Sequence, residues 1–230
     1  EAASAEPLLP LLIDGPAEVR ALAFHAIRAL RSPQAFAPAM QSLRDPDASV
    51  RREAVGVLGY LKDPAAIGDL AEVAANDPDV DVRRIAVGAL GYSSTVSVLP
   101  ALTRALADSG WMVRDEAAQT LGKLRLSLAI PDLVKAMQDE YWQVRVKAAR
   151  SLGLLKAEAG LPPLVASLTH SISNLRKEAV IALGEIGDTR AIAPLEAALA
   201  DPDPDVRKLA RLALTSIGLA QKARSKGAPA

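Results

Sequence analysis

The chain has 230 residues, with 27 Lys and Arg against 27 Asp and Glu, so it carries no formal net charge at neutral pH. That balance lacks the basic excess with which nucleic-acid binders neutralise phosphate, and it gives no reason to expect an anionic membrane as a partner. Without a single cysteine, disulfides, thiolate nucleophiles and cysteine metal sites are excluded, and a reducing cytoplasm is the expected setting.

Half of the residues are hydrophobic but only 3% are aromatic, so Ala, Leu, Val and Ile must build the core. That composition favours closely packed helices. The opening Glu1-Ala-Ala-Ser-Ala-Glu6 has neither the basic region nor the apolar stretch of a signal peptide, and no initiator Met. It reads as a trimmed start with sequence removed upstream. Pro7 to Ile13 then resembles the second helix of a two-helix unit whose first helix is missing.

From there one signal runs to the end of the chain. Val-Arg, once Leu-Arg, recurs at Val19-Arg20, Val50-Arg51, Val82-Arg83, Val113-Arg114, Val144-Arg145, Leu175-Arg176 and Val206-Arg207, with the arginines 31, 32, 31, 31, 31 and 31 residues apart. Three residues past each Arg stands Ala: Ala23, Ala54, Ala86, Ala117, Ala148, Ala179 and Ala210. Seven past it stands Ile27 or a Leu (Leu58, Leu90, Leu121, Leu152, Leu183, Leu214), followed in the central units by Gly59, Gly91, Gly122, Gly153 and Gly184.

Each period reads as two helices. Asp203-Pro204-Asp205 shows how the first begins, with an Asp cap, a proline in the first turn and an acid at the positive helix end. The in-phase Ala implies close approach of a neighbouring backbone, and the in-phase Gly is expected to serve as a left-handed helix cap. The second helix is announced by Ser32-Pro33, Asp63-Pro64 or Asp188-Thr189, and its early prolines Pro100, Pro131, Pro162 and Pro194 predict that the regular part starts near them. Ile130, Leu133, Val134 and Met137 give its apolar face.

No such unit can bury its apolar face alone, so stacked units must share one core. The expected fold is therefore all-α: a right-handed α-solenoid, or alpha-alpha superhelix, of about 14 helices. The expected organisation is one domain over 5–218, with units 14–44, 45–76, 77–107, 108–138, 139–169 and 170–200 and a half-unit at each end, then an unstructured tail over 219–230. No run approaches the roughly 18–20 apolar residues that span a bilayer.

The motif Asp-Pro-Asp-x-x-Val-Arg, then Ala…Leu-Gly and Ala-Ile-x-x-Leu, resembles the phycocyanobilin-lyase-type HEAT-like repeats. It stands at Asp45-Pro46-Asp47-Ala48-Ser49-Val50-Arg51, at Asp77-Pro78-Asp79-Val80-Asp81-Val82-Arg83 and at Leu183-Gly184-Glu185-Ile186-Gly187-Asp188-Thr189-Arg190-Ala191-Ile192. The resemblance covers nearly the whole chain. It implies a protein-binding scaffold or adaptor, or alternatively a bilin lyase-like subunit or a chaperone assisting cofactor or iron–sulfur assembly on a client. The shared residues are framework residues, so no catalytic residue carries over. The iron-dependent deoxyhypusine hydroxylase is similar in architecture but uses His-Glu pairs, whereas His25 and His170 here precede Ala26 and Ser171.

No phosphate loop, nucleophile elbow or paired His and carboxylate motif appears. No catalytic, cofactor-binding or metal-binding residue is therefore assigned, and the expected partners are other proteins, not nucleic acid or membrane. The row Arg20, Arg51, Arg83, Arg114, Arg145, Arg176 and Arg207 could bind phosphate or bilin propionates. Its recurrence in every unit favours a framework role, with each guanidinium on a turn carboxylate such as Asp45, Asp77, Asp108, Asp139 or Asp201.

Trp111 and Trp142 occupy one slot a repeat apart, where other units have Ala17, Ala48, Val80, Ser173 and Pro204. With Met112 and Tyr141 beside them they form either a rim hot spot for a protein partner or packing that fills a gap. Phe24 and Phe36 are expected in the core, Tyr60 and Tyr92 on the opposite rim, His25 partly packed and His170 in a turn. The second helices are expected to line a concave binding face through Asp69, Glu72, Arg104, Asp132, Lys135, Pro163, Ala166 and Ala197. That face is charged with mixed sign early and small-sided late, where a partner helix or loop could approach closely.

Overall fold

The computed structural model describes residues 5–93 and 96–226, with side chains as far as 219. Among the described residues there are thirteen α-helices and no strand. The chain divides into two compact units, Glu1–Thr120 and Leu121–Ala230. Within each, helix pairs stack in chain order, which is the arrangement of an α-solenoid.

In the first unit the first-type helices are α1 (Ala17–Leu30), α3 (Ala48–Leu61) and α5 (Val80–Leu90), and the second-type helices are α2 (Phe36–Ser42), α4 (Ile67–Asn76) and α6 (Leu99–Ala105). α3 packs between α1 and α5, α2 lies on α3, and α4 lies on α5 and α6. α7 (Trp111–Lys123) contains the division between the units. The second unit continues with α8 (Ile130–Ala136), α9 (Trp142–Leu154), α10 (Leu161–Ser167), α11 (Ser173–Ile186), α12 (Ile192–Ala197) and α13 (Pro204–Lys226). There α11 packs between α9 and α13, and α8, α10 and α12 cover α9, α11 and α13 in turn.

The periodic residues explain this stacking. All seven in-phase alanines are buried, none more than 4% exposed. Fully buried leucines repeat in step, among them Leu58 and Leu90 in the first unit and Leu152 and Leu183 in the second. The glycine slot has a different role from the expected cap. Gly59, Gly122, Gly153 and Gly184 lie inside their helices and buried, where a β-carbon would meet the next first-type helix. It would stand 2.8 Å from Ala89 Cβ at Gly59, 2.8 Å from Ser151 Cα at Gly122 and 3.0 Å from Ala213 Cα at Gly184. Glycine is needed at these points because two backbones touch.

The left-handed turn comes three residues later, at Arg31, Lys62, Arg125, Lys156 and Gly187 (φ 54°, 58°, 52°, 49° and 73°). The basic side chains there sit at the negative helix end, a favourable interaction that offsets part of the backbone strain. The other helix end is fixed by aspartates. Asp47 accepts from the backbone N–H of Ser49 and Val50, Asp79 from those of Asp81 and Val82, and Asp203 from that of Asp205. Such a cap is worth about 1 kcal/mol.

Each second-type helix opens through a 3-10 turn such as Pro64–Ala66 or Thr189–Ala191, capped by Asp63 and Asp188. Pro100, Pro131 and Pro162 fall in the first turn of α6, α8 and α10, where the missing N–H costs nothing.

The ends differ from the sequence-based expectation. Pro7 to Ile13 forms two 3-10 turns, Glu6–Leu8 and Pro10–Leu12, because Pro7 and Pro10 interrupt the α-helical hydrogen bonds. The second turn packs on α1 and buries Leu12. At the far end α13 runs through Lys226, since Leu219, Ala220, Gln221, Lys222 and Ala223 are good helix formers. Of the tail expected to be unstructured, 227–230 lies outside the described residues. Phe24 is fully buried, whereas Phe36 is half-buried.

Candidate functional site

The polar residue with the strictest spacing, the arginine, leaves the first-type helix near its start and crosses to the turn before the next one. Four rungs have one geometry. Arg20 donates Nε and Nη2 to the two carboxylate oxygens of Asp45 at 3.0 and 2.8 Å. Arg51 does the same to Asp77 at 2.7 and 2.9 Å, Arg83 to Asp108 at 2.8 and 2.8 Å, and Arg176 to Asp201 at 2.8 and 2.8 Å.

Nη1 of Arg51, Arg83 and Arg176 donates to backbone carbonyls five and six residues earlier, which fixes the plane of the fork. Arg114 and Arg207 send Nη1 to the equivalent carbonyls, Asp108 and Ser109, and Asp201 and Pro202. The carboxylates also accept from backbone N–H groups two residues on, as Asp77 does from Asp79 and Asp201 from Asp203. The same aspartate therefore shapes the turn and neutralises the arginine.

Two-pronged charge-assisted pairs of this kind are strong. The Asp201 carboxyl lies below its ordinary range because Arg176 hydrogen-bonds it, against the opposing effect of burial. At Asp108 burial pushes the carboxyl up, but the Arg83 pair and the Gly110 N–H together bring it below its ordinary value. Asp203, held by Lys177, is lowered to about 2.

One rung differs. The position after Arg145 in this scheme holds His170 instead of aspartate. His170 Nδ1 accepts from the Ile172 N–H at 3.0 Å, so it shapes the turn as an aspartate would, but it brings no negative charge. Burial, then Arg145 and Arg176, push the imidazole below its ordinary value. Among the described residues Arg145 Nε is buried without a hydrogen-bond partner, as is Oε1 of Gln143 two residues earlier.

Of the aromatic candidates, Trp111 opens α7 and Trp142 opens α9. Both are half-buried, as is Met112, and Tyr141 is exposed at the N-cap of α9. Tyr60 and Tyr92, 39% and 49% exposed, carry the left-handed basic residues on their rings, Arg31 at 5.2 Å and Lys62 at 5.0 Å. The sequence reading missed these stacks, because neither Arg31 nor Lys62 announces a positive φ. His25 is exposed rather than partly packed, with Nδ1 at 3.3 Å from Glu53.

On the second-type helices Asp69 is half-buried. Arg104 donates to Asn76 Oδ1 at 3.2 Å, and Asn76 donates to Glu72 at 2.8 Å, so a polar chain links α6 to α4. Asp132 and Lys135 stand one turn apart on α8 at 3.9 Å, a loose exposed pair of small energetic value. Beyond them an open groove of about 260 Å³ separates α10 from α12, with Leu168 and Ala198 as its floor and Val165, Pro194 and Ala197 on its sides. Pro163, Ala166 and Ala197 are half-buried or exposed nearby on the same two helices. Among the described residues no three His, Asp or Glu side chains group closely enough to hold a metal ion, and no helix is long and apolar enough to cross a membrane.

A family model described as HEAT repeats matches residues 5–83, 69–145 and 130–215. No curated protein matches in sequence. Among solved structures, a chain of the Kap95p–RanGDP structure is similar at TM-score 0.66 and 14% identity, over 93% of this chain and 35% of that one. An engineered protein is similar at TM-score 0.62 and 22% identity, over 93% and 68%. A chain of the complex of CpcE and CpcF of phycocyanin lyase from Nostoc sp. PCC7120 is similar at TM-score 0.61 and 21% identity, over 94% and 96%. At these identities the likeness is one of fold.

Proposed function

Since the chain belongs to the HEAT-repeat family, we propose that it is a cytoplasmic, non-catalytic scaffold or adaptor that binds other proteins along its second-type helices. The observation that carries this reading is the groove between α10 and α12. Its floor is apolar, its sides are short, and it is open to solvent, so a partner helix or loop can come close to the backbone. The framework arginines are engaged with turn aspartates in four rungs, which leaves the variable positions of α4, α6, α8, α10 and α12 to give specificity. Asp69, Arg104, Asp132 and Lys135 supply mixed charge, suited to orienting a partner more than to holding it.

The test is affinity capture from the native host with the wild-type chain and with Ala197→Arg, which fills the groove. A partner recovered with the wild type and reduced about tenfold by the variant supports the groove; equal recovery removes it. Trp111→Ala and Trp142→Ala in the same experiment decide whether either tryptophan adds to the surface.

The likeness to the phycocyanin lyase complex supports a second reading, a lyase-like subunit handling a bilin on a client protein. Mixing the chain with a bilin, with and without an acceptor protein, tests it. An absorption shift supports that reading and a flat difference spectrum ends it.

A further inference from the structure

We propose that His170 is a pH-sensitive latch on the groove between α10 and α12, whose protonation opens the turn that forms one end of that groove. This rests on the groove as the docking site and adds its regulation. Six residues before the arginines of α3, α5, α7, α9 and α13 stand Asp45, Asp77, Asp108, Asp139 and Asp201, and each accepts the backbone N–H two residues on. Carboxylates keep that role down to about pH 4. Before α11 the position holds His170, which accepts the Ile172 N–H through Nδ1 at 3.0 Å. An imidazole can accept there only while neutral, with its proton on Nε2. A proton taken up at Nδ1 turns the acceptor into a donor that faces another donor.

The surroundings of the ring oppose its charged form. Arg145 acts on it from α9 and Arg176 from α11, and both disfavour the imidazolium. α10 carries no charged residue. The acids of the neighbouring turns are already engaged: Asp201 has both oxygens on Arg176, Asp203 is held by Lys177, and Asp139 accepts the Tyr141 N–H.

The same turn is tied to the groove, which Leu168, Thr169 and Asp201 all line. Arg176 joins the two sides. Its Nη1 donates to the carbonyls of His170 and Ser171 at 2.8 and 3.2 Å, while Nε and Nη2 hold Asp201 beyond α12. A cation at His170 therefore breaks the bond that closes the turn and repels the side chain that fastens the turn to the far side of the groove.

The experiment measures amide hydrogen exchange, corrected for the intrinsic rate at each pH, in the full chain without a partner at about pH 7 and about pH 5.5. Protection of Leu168, Thr169 and Ile172 should fall by up to about tenfold at the lower pH, about one pH unit below the ordinary imidazole value. The midpoint of that fall should coincide with the ring titration of His170 followed by NMR. In His170→Asn, whose side-chain oxygen accepts the turn N–H and does not titrate, protection should stay level. Unchanged protection in the wild type, an equal fall in His170→Asn, or an equal fall at the aspartate turns of α3 and α5 overturns the latch. These readings need no partner, so they fail separately from the groove, which Ala197→Arg tests. A partner held in the groove at pH 7 should be recovered about fivefold to tenfold less at pH 5.5 with the wild type and equally with His170→Asn; equal recovery with the wild type overturns the regulation.

Discussion

In the first unit, Arg20, Arg51 and Arg83 each grip an aspartate of the following turn. In the second, Arg176 does so and Arg145 does not, because its turn carries His170. The alanines, leucines and glycines are in phase in both units, so this difference is not one of fold. It shows that the ion-pair row and the apolar stack are separable: a turn can keep its shape with a histidine while its arginine loses a partner.

The largest test removes arginines from the two kinds of rung. Arg51→Ala or Arg176→Ala leaves a buried aspartate unpaired and should cost about 3 kcal/mol. Arg145→Ala strands no acid, and in urea unfolding it should cost less than about 1 kcal/mol. If Arg145→Ala proves as costly as Arg176→Ala, the contrast between the units is gone.

Glycines should behave alike in both units, which sharpens the separation. Gly59→Ala and Gly184→Ala force a β-carbon into the next helix and should each cost about 1–3 kcal/mol. Gly68→Ala in α4, where nothing lies within 4 Å, should gain about 0.5–1 kcal/mol. Thermal unfolding of the three variants checks this.

His170→Asp should make the second unit resemble the first, with a gain of about 1–2 kcal/mol at neutral pH. The sign with pH follows from the depressed imidazole. The unfolded chain binds this proton more readily than the folded one, so stability is complete above about 6.5 and declines as pH falls through the lowered folded value. The variant should lose that limb and keep the one below pH 3.8, where Asp201 and then Asp203, at about 2, take up protons. Stability measured between pH 7 and 5 separates the two chains.

The smallest contrast lies at the left-handed caps. Lys156→Gly relieves strain and should gain about 0.5–1 kcal/mol. Lys62→Gly should be close to neutral, since it also removes the stack on Tyr92, worth about 0.5–1 kcal/mol. Equal gains in the two variants would mean that the stack contributes nothing.

Much of the fold is legible because its cause repeats. An alanine buried seven times, or an arginine at a fixed step, stands out as periodicity before any contact is known. Features caused by geometry at one place were not legible in this way. Gly59 and Gly184 read as helix caps because a glycine near a helix end has that use most often; only the 2.8 Å approach to Ala89 and Ala213 reveals the other use. The left-handed turns at Arg31 and Lys62 gave no sign, since the strain is in the backbone and the side chain is ordinary for a surface. The sequence reading placed His170 only in a turn; that it stands where other turns carry aspartate took on meaning with the orphaned Nε of Arg145.

The glycine contacts also constrain how such a chain can change length. Each joins one first-type helix to the next about thirty residues on, and one residue inserted within that next helix ahead of the contacting residue would rotate it by about 100° and carry that residue off the contact. The unit of 32 residues shows where slack is tolerated: α4 has ten residues where the other second-type helices have six or seven, and Gly59 still meets Ala89. Growth or loss of this chain should therefore proceed by whole modules, with single-residue indels confined to its second-type helices.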